Sequence, residues 1–277
     1  MIIDAHFHCW RLERADYGWL TPALGRIYRD VAVGDWCAVA QPLGVEAGVL
    51  VQAAPTEAET HFLLQQAAAH PQVRGVVGWV DLLAPDAPTR IEALAKSWPA
   101  LKGLRPMLQD IPDPDWVLQP ALARAFETMT ACGLVFDALV KPVHLPRILA
   151  LQQRHPGLAI VVDHAAKPDI ARGQWSPWAE GLAEIARQTR AVCKLSGLLT
   201  EAGPQAKADA ARRWAGHVLA QFGPQRVLWG SDWPVLEGAA RYEDWWGETQ
   251  ALLQPMPAAD RDAVLGGNAS RVYGLGA

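Results

Sequence analysis

Cysteine is scarce in this sequence and scattered: Cys9, Cys37, Cys132 and Cys193 make 4 in all, and no two of them form a C-x-x-C pair. That spacing argues against a disulfide framework and against a thiolate zinc site, and leaves most of the cysteines as small buried hydrophobes. Long runs of one charge are missing as well. The 29 acidic residues outnumber the 25 basic ones by a formal charge of -4 and are interspersed with them, so no broad face attracts nucleic acid or anionic lipid. No apolar stretch approaches the about 18 residues that cross a bilayer. The opening Met1-Ile2-Ile3-Asp4 carries neither a basic region nor an apolar segment of the exported kind, so a soluble cytoplasmic protein is expected. Neither G-x-G-x-x-G nor G-x-x-x-x-G-K-[ST] occurs, which removes the common nucleotide-phosphate turns.

What is present is apolar and evenly patterned. The 277 residues are 51% hydrophobic and only 19% charged, a composition that folds and that buries roughly 75% of its extended surface at this size. No Gly-, Ser- or Pro-rich linker and no internal repeat divides the chain, so residues 1–277 are expected to form one domain. The 13 tryptophans are a surplus for this length. One early group of aromatics, Trp10, Tyr17, Trp19 and Tyr28, would line a pocket or cap a core.

Eight short, β-branched apolar runs recur: Ile2 to His6, Ala47 to Val51, Gly75 to Val80, Leu101 to Arg105, Leu134 to Ala138, Ala159 to Asp163, Ala191 to Leu195 and Val227 to Gly230. Several, such as Ala159-Ile160-Val161-Val162, are continuously apolar, as parallel strands covered on both faces must be. Helical spacing fills the intervals. Thr56-Glu57-Ala58-Glu59 has the form of a capping box opening a helix to Pro71, and further helical patterns run from Pro120 to Ala131, Leu145 to Gln153, Pro177 to Gln188, Gln205 to Gln221 and Arg241 to Leu253. An unusually long excursion to about Gly44 follows the first strand. Eight strand–helix units joined by right-handed crossovers close into an α/β (β/α)8 TIM barrel, with a doubly wound open sheet as the structural alternative.

Barrel enzymes carry their chemistry at the C-terminal ends of the strands, so the residue types found there are the test. The first run ends in Asp4-Ala5-His6-Phe7-His8, where the alternation of side chains points His6 and His8 the same way, toward one cation. The sixth ends in Asp163-His164 and the eighth in Ser231-Asp232. An isolated H-x-H or histidine is weak evidence; three such ends on one rim are much stronger. His6, His8, His164 and Asp232 are therefore the candidate metal ligands, with Asp232 and His164 as candidate catalytic groups. Gln52, Arg105 and Lys194 end other strands, His144 follows the fifth, and with Trp10 and Trp233 they make the candidate substrate-binding set. Two cations beside a metal suit a substrate bearing a carbonyl, a carboxylate or several hydroxyls. Asp137 and Ser196 stand at strand ends too, whereas His61, His70, His155 and His217 fall in helical patterns and are excluded.

At these residues the sequence resembles the amidohydrolase superfamily, in its sugar-lactonase branch. The likeness covers almost the whole chain, through Asp4-Ala5-His6-Phe7-His8-Cys9-Trp10, Val51-Gln52-Ala53-Ala54-Pro55 with Glu57 and Glu59, Lys102-Gly103-Leu104-Arg105, Asp163-His164-Ala165-Ala166-Lys167-Pro168, Cys193-Lys194-Leu195-Ser196-Gly197-Leu198 and Gly230-Ser231-Asp232-Trp233-Pro234. It implies a (β/α)8 barrel that hydrolyses a sugar lactone, with Asp232 as general acid and base. Two-metal members carry a carboxylated lysine or a glutamate at the fourth strand end and a histidine at the fifth. Arg105 and Asp137 stand there instead, which implies at most one divalent ion, zinc first and manganese next, with metal-independent catalysis also open. The alternative on the same barrel is a metal-dependent decarboxylase of aromatic or muconate-like acids. The number of subunits is not legible, a homo-oligomer included.

Overall fold

The eight apolar runs are eight strands: β1 (Ile2–Phe7), β2 (Val45–Val51), β3 (Val73–Gly78), β4 (Leu101–Leu104), β5 (Val135–Ala138), β6 (Ile160–Val162), β7 (Val192–Leu195) and β8 (Val227–Trp229). In this computed structural model, which describes residues 1–276, they pair in parallel and in sequence order in one 8-stranded sheet. Ala277, the last position of the expected domain, lies outside the described residues. The (β/α)8 barrel is therefore the fold.

Around the strands lie α1 (Val33–Ala40), α2 (Glu57–Ala69), α3 (Ala87–Ser97), α4 (Ala123–Ala131), α5 (Leu145–Arg154), α6 (Trp178–Gln188), α7 (Leu198–Ala202), α8 (Arg212–Phe222), α9 (Tyr242–Leu253), α10 (Ala258–Asp262) and α11 (Asn268–Tyr273). Two departures from the sequence reading have local causes. The α-helix expected from Gln205 starts only at Arg212: Pro204, Gln205, Lys207 and Asp209 are exposed, whereas Ala211 and Trp214 pack into the core. At Thr56 only half of the capping box forms. The Thr56 hydroxyl accepts from the Glu59 N–H, but the Glu59 carboxylate turns inward to the backbone N–H groups of Ala53 and Ala54 at 2.9 and 2.6 Å. All four cysteines are free; Cys9 and Cys193 are buried, while Cys37 and Cys132 are only partly so.

Inward side chains, among them Ile3, Ala5, Val49, Val77, Val135, Val161 and Leu228, fill the cylinder, and its N-terminal end is plugged by Ala269 and Tyr273 of α11 with Leu275 just beyond that helix. The Asn268 amide fixes this plug by donating to the carbonyls of Pro224 and Val227 at 2.7 and 2.8 Å. The remaining seam, between β8 and β1, is closed beyond the strands themselves. The Asp232 N–H donates to the His6 carbonyl and the His8 N–H to the Trp233 carbonyl, both at 2.8 Å. The strands approach so closely here that a Cβ on Gly230 would lie 2.9 Å from that of His6. Buried Asp4 bolts the seam, accepting from the Ser231 N–H and hydroxyl, the Trp36 indole and the Tyr242 hydroxyl. Among the described residues, no helix is long and apolar enough to cross a membrane.

Candidate active site

A register irregularity between Asp4 and Phe7 turns the end of β1, so that Phe7 stacks outward on Trp36 while His6 faces the barrel axis. His8 follows on the same side: the two Nε2 atoms are 3.2 Å apart. Asp232 arrives from the end of β8 and sets Oδ1 3.2 Å from His8 Nε2 and 3.7 Å from His6 Nε2, with His164 Nε2 at 3.8 Å. The three strand ends that the sequence singled out thus meet around one carboxylate oxygen.

The outer nitrogens fix the rings. His8 Nδ1 donates to the Val51 carbonyl at 2.8 Å, leaving its Nε2 lone pair for the centre. His164 Nδ1 pairs with the Ser196 hydroxyl at 2.9 Å. His6 Nδ1 lies 3.2 Å from Lys194 Nζ, and Arg105 Nη1 stands 3.3 Å from its Nε2.

Behind His6, Lys194 is completely buried between Asp137 at 2.5 Å and Asp163 at 3.1 Å, and the Tyr273 hydroxyl reaches both oxygens of Asp137 at 2.9 Å. Arg105 completes the cluster with Nη1 3.3 Å from Asp163 and Nη2 3.0 Å from Gln52 Oε1. Two carboxylates and two cations cancel, which is the condition under which such charges survive burial.

Asp232 has no such cation. Burial by itself would raise its carboxyl, but His164, the hydrogen bond to His8 and the other imidazoles outweigh that and hold it well below the usual carboxylate range. Burial draws His164 down to about 4 against the pull of Asp232, and burial with help from Lys194 draws His6 well below the usual imidazole range. At neutral pH the Asp232 carboxylate therefore stands beside the neutral rings of His6 and His164.

That donor set fits a divalent cation. Zinc bound to nitrogen and carboxylate oxygen at about 2.0–2.1 Å in a tetrahedron needs donors about 3.3 Å apart. The separations among His6, His8 and Asp232 run from 3.2 to 3.7 Å. His6, Asp163 and His164 also lie close enough to share an ion, but the Asp163 carboxylate already serves Lys194 and Arg105.

A cavity of about 220 Å³ opens over the carboxylate. Its polar floor includes His8, Arg105, His164 and Asp232, and its apolar wall is Trp19, Met107, Leu139 and Val235. Gln52 and Lys194 are buried behind the histidines rather than in this lining. His144 caps its own turn through the Lys141 N–H at 3.1 Å, Trp10 donates to the Arg29 carbonyl, and Trp233 donates to Glu237; none of the three is in the lining. Lys167, Gln109 and Asp110 line the cavity without having been singled out. Lys167 stood inside the sixth strand-end motif, and Trp19 in the early aromatic group, but neither spacing told which way the side chain turns.

Imidazoles and a carboxylate gathered at the C-terminal mouth of a (β/α)8 barrel define an enzyme of the amidohydrolase kind. The chain belongs to that family: the sequence profile described as "Amidohydrolase" matches residues 3–275. It is 43% identical over 276 residues to an L-fucono-1,5-lactonase of Burkholderia ambifaria, covering 98% of this chain and 94% of that one. It is 35% identical over 290 residues to an L-fucono-1,5-lactonase of Burkholderia multivorans, covering 99% and 96%. The crystal structure of an amidohydrolase from Burkholderia multivorans with bound Zn superposes with a TM-score of 0.92 at 35% identity over 100% of both chains.

Proposed function

We propose that this protein is a sugar lactonase that opens a six-membered lactone of the L-fucono-1,5-lactone type to the hydroxy acid. The full-length likeness to two such lactonases carries the reading, and the Asp232-centred site gives it chemistry. The wall of Trp19, Met107, Leu139 and Val235 suits the methyl group of a 6-deoxy sugar.

In the proposed mechanism the lactone carbonyl sits above Asp232, and the carboxylate takes a proton from the water that adds to the carbonyl carbon. Arg105 and the His164 Nε2–H face the oxyanion that results; a Ser196 hydroxyl donating to His164 Nδ1 selects that tautomer. As the ring C–O bond breaks, Asp232 returns the proton to the departing alkoxide, so one water is added overall. Lys194 and Gln52 act from behind, holding His6 and Arg105 rather than touching the sugar. His6, His8 and Asp232 would hold one divalent ion, zinc before manganese, with His164 beside them; when bound it supplies Lewis acidity to the carbonyl or the water.

The test is a panel of sugar 1,4- and 1,5-lactones in weak buffer with a pH indicator, alongside metal analysis of the purified protein. Proton release from L-fucono-1,5-lactone well above the spontaneous rate is expected. No rate on any lactone, with carbon dioxide released from an aromatic acid instead, would overturn the reading in favour of a decarboxylase.

A further inference from the structure

After β6 the backbone does something that L-residues avoid. His164, Ala165, Ala166 and Lys167 take φ values of 49°, 49°, 59° and 49° in succession, with none of them glycine. Single asparagines or aspartates visit this left-handed region; four consecutive non-glycine residues form a complete left-handed turn, closed by the Lys167 N–H donating to the His164 carbonyl at 2.8 Å. Each residue carries a steric penalty from its own Cβ, so the surroundings must hold the turn in place. The turn puts its first and last side chains, His164 and Lys167, into the cavity lining together, while Ala165 and Ala166 are wholly buried.

The ends of the turn are held by their side chains. His164 bonds Ser196 and lies so close to Gly197 that a Cβ there would come 2.8 Å from its Nδ1, while Lys167 reaches Glu201 at 3.6 Å. The middle is gripped from outside the site. On α6, Trp178 donates its indole N–H to the Ala165 carbonyl at 2.6 Å. That indole is itself fixed: it is 1% exposed and packs against Trp175, Trp214 and His217 with ring centres 5.4, 5.0 and 5.1 Å away. The aromatic surplus of this chain is partly spent here, far from the early group of aromatics.

We infer that Trp178 is a positioning residue for the reaction: its indole N–H holds the left-handed turn and thereby aims both His164 and Lys167 at the substrate. The inference rests on the lactonase reading for its kinetic arm only. A packing residue and a turn clamp differ in one respect. Glycine at 165 and 166 removes the Cβ penalty, so it substitutes for a clamp but cannot substitute for lost packing.

The experiment compares four proteins: the unaltered chain, Trp178→Phe, Ala165→Gly/Ala166→Gly, and all three changes together. Trp178→Phe keeps an aromatic ring and loses the donor, and kcat on the lactone is expected to fall about tenfold, since misplacing a reacting group by 1 Å can cost a hundredfold. The glycine pair alone should leave kcat within about twofold and leave the melting temperature level or raised. In the triple variant at least half of the lost activity, on a logarithmic scale, should return. If the unaltered protein opens no lactone, the functional reading is what fails. The melting temperatures then carry the test, because the glycines should raise that of Trp178→Phe by more than that of the unaltered chain. Trp178→Phe with unchanged kcat, or glycines that deepen its defect, would overturn the inference. Should Trp178→Phe not fold, the glycine pair in the otherwise unaltered chain decides: a melting temperature lowered by several degrees would refute the strain on which the inference stands.

Discussion

Replacing Asp232 by asparagine separates proton transfer from everything else that this residue does. Its Oδ1 stands 3.2 Å from His8 Nε2, 3.7 Å from His6 and 3.8 Å from His164, and an amide keeps both the volume and one acceptor oxygen there. The main chain at 232 has a φ of 59°, a conformation that asparagine tolerates as well as aspartate does. The seam bond from its N–H to His6 is unaffected. Folding should therefore survive, but the surrounding imidazoles hold the carboxyl ionised below the usual range, so losing that charge should lower the melting temperature modestly at neutral pH. What disappears is a group able to take and return a proton. A positioned acid–base contributes about 10²–10⁴-fold, or about 2.7–5.4 kcal/mol of barrier at 1.36 kcal/mol per tenfold, so kcat should drop at least about a hundredfold. The indicator assay on the preferred lactone, run with and without saturating zinc, measures it. A folded variant that keeps more than a tenth of its kcat would refute the assignment of Asp232 as acid and base.

Three further outcomes follow from the same geometry. Arg105→Lys keeps the charge but loses the two-pronged contact with Asp163 and Gln52, and forfeiting one charge-assisted hydrogen bond, about 1.5–3 kcal/mol, should lower kcat/KM about ten- to a hundredfold. Lys194→Met strands Asp137 and Asp163 without their shared cation; a loss of about 3–5 kcal/mol in urea unfolding is expected, and Lys194→Met with parental stability would show the buried cluster to be energetically idle. Burial pushes the Glu59 carboxyl up to about 8, against the pull of the Ala54 and Ala53 N–H groups. The folded chain therefore holds a proton that the unfolded chain releases above about 4.5, and stability should decline from pH 5 to pH 8; Glu59→Gln should flatten that slope in denaturation at the two pH values.

The strands were legible because each is buried on both faces, and a run such as Ile160–Val162 has no polar residue to disguise it. The ends of those strands were legible for the opposite reason: polar side chains such as His164 and Asp232 break the apolar pattern. What local spacing could not supply was distance along the chain. Nothing near Lys194 announces that Asp137 and Asp163 will enclose it, so it read as a substrate contact when it is a buried counter-ion. Tyr273 carries no motif, yet its hydroxyl reaches Asp137 from the opposite end of the barrel. The cavity wall was the least visible part, since Met107 and Leu139 lie in loops and Val235 opens a short 3₁₀ turn, where no period of 2 or 3.6 governs which side chain faces inward.

The seam between the last strand and the first is sealed by the amides of Asp232 and His8, the same residues whose side chains form the centre. Any fluctuation that parts this seam also pulls the carboxylate away from its imidazoles, so breathing of the cylinder and loss of competence are one event. Deuterium uptake at these two amides would then report how often the enzyme is momentarily switched off, and a ligand that bridges the two strands would slow it in proportion to how tightly it binds.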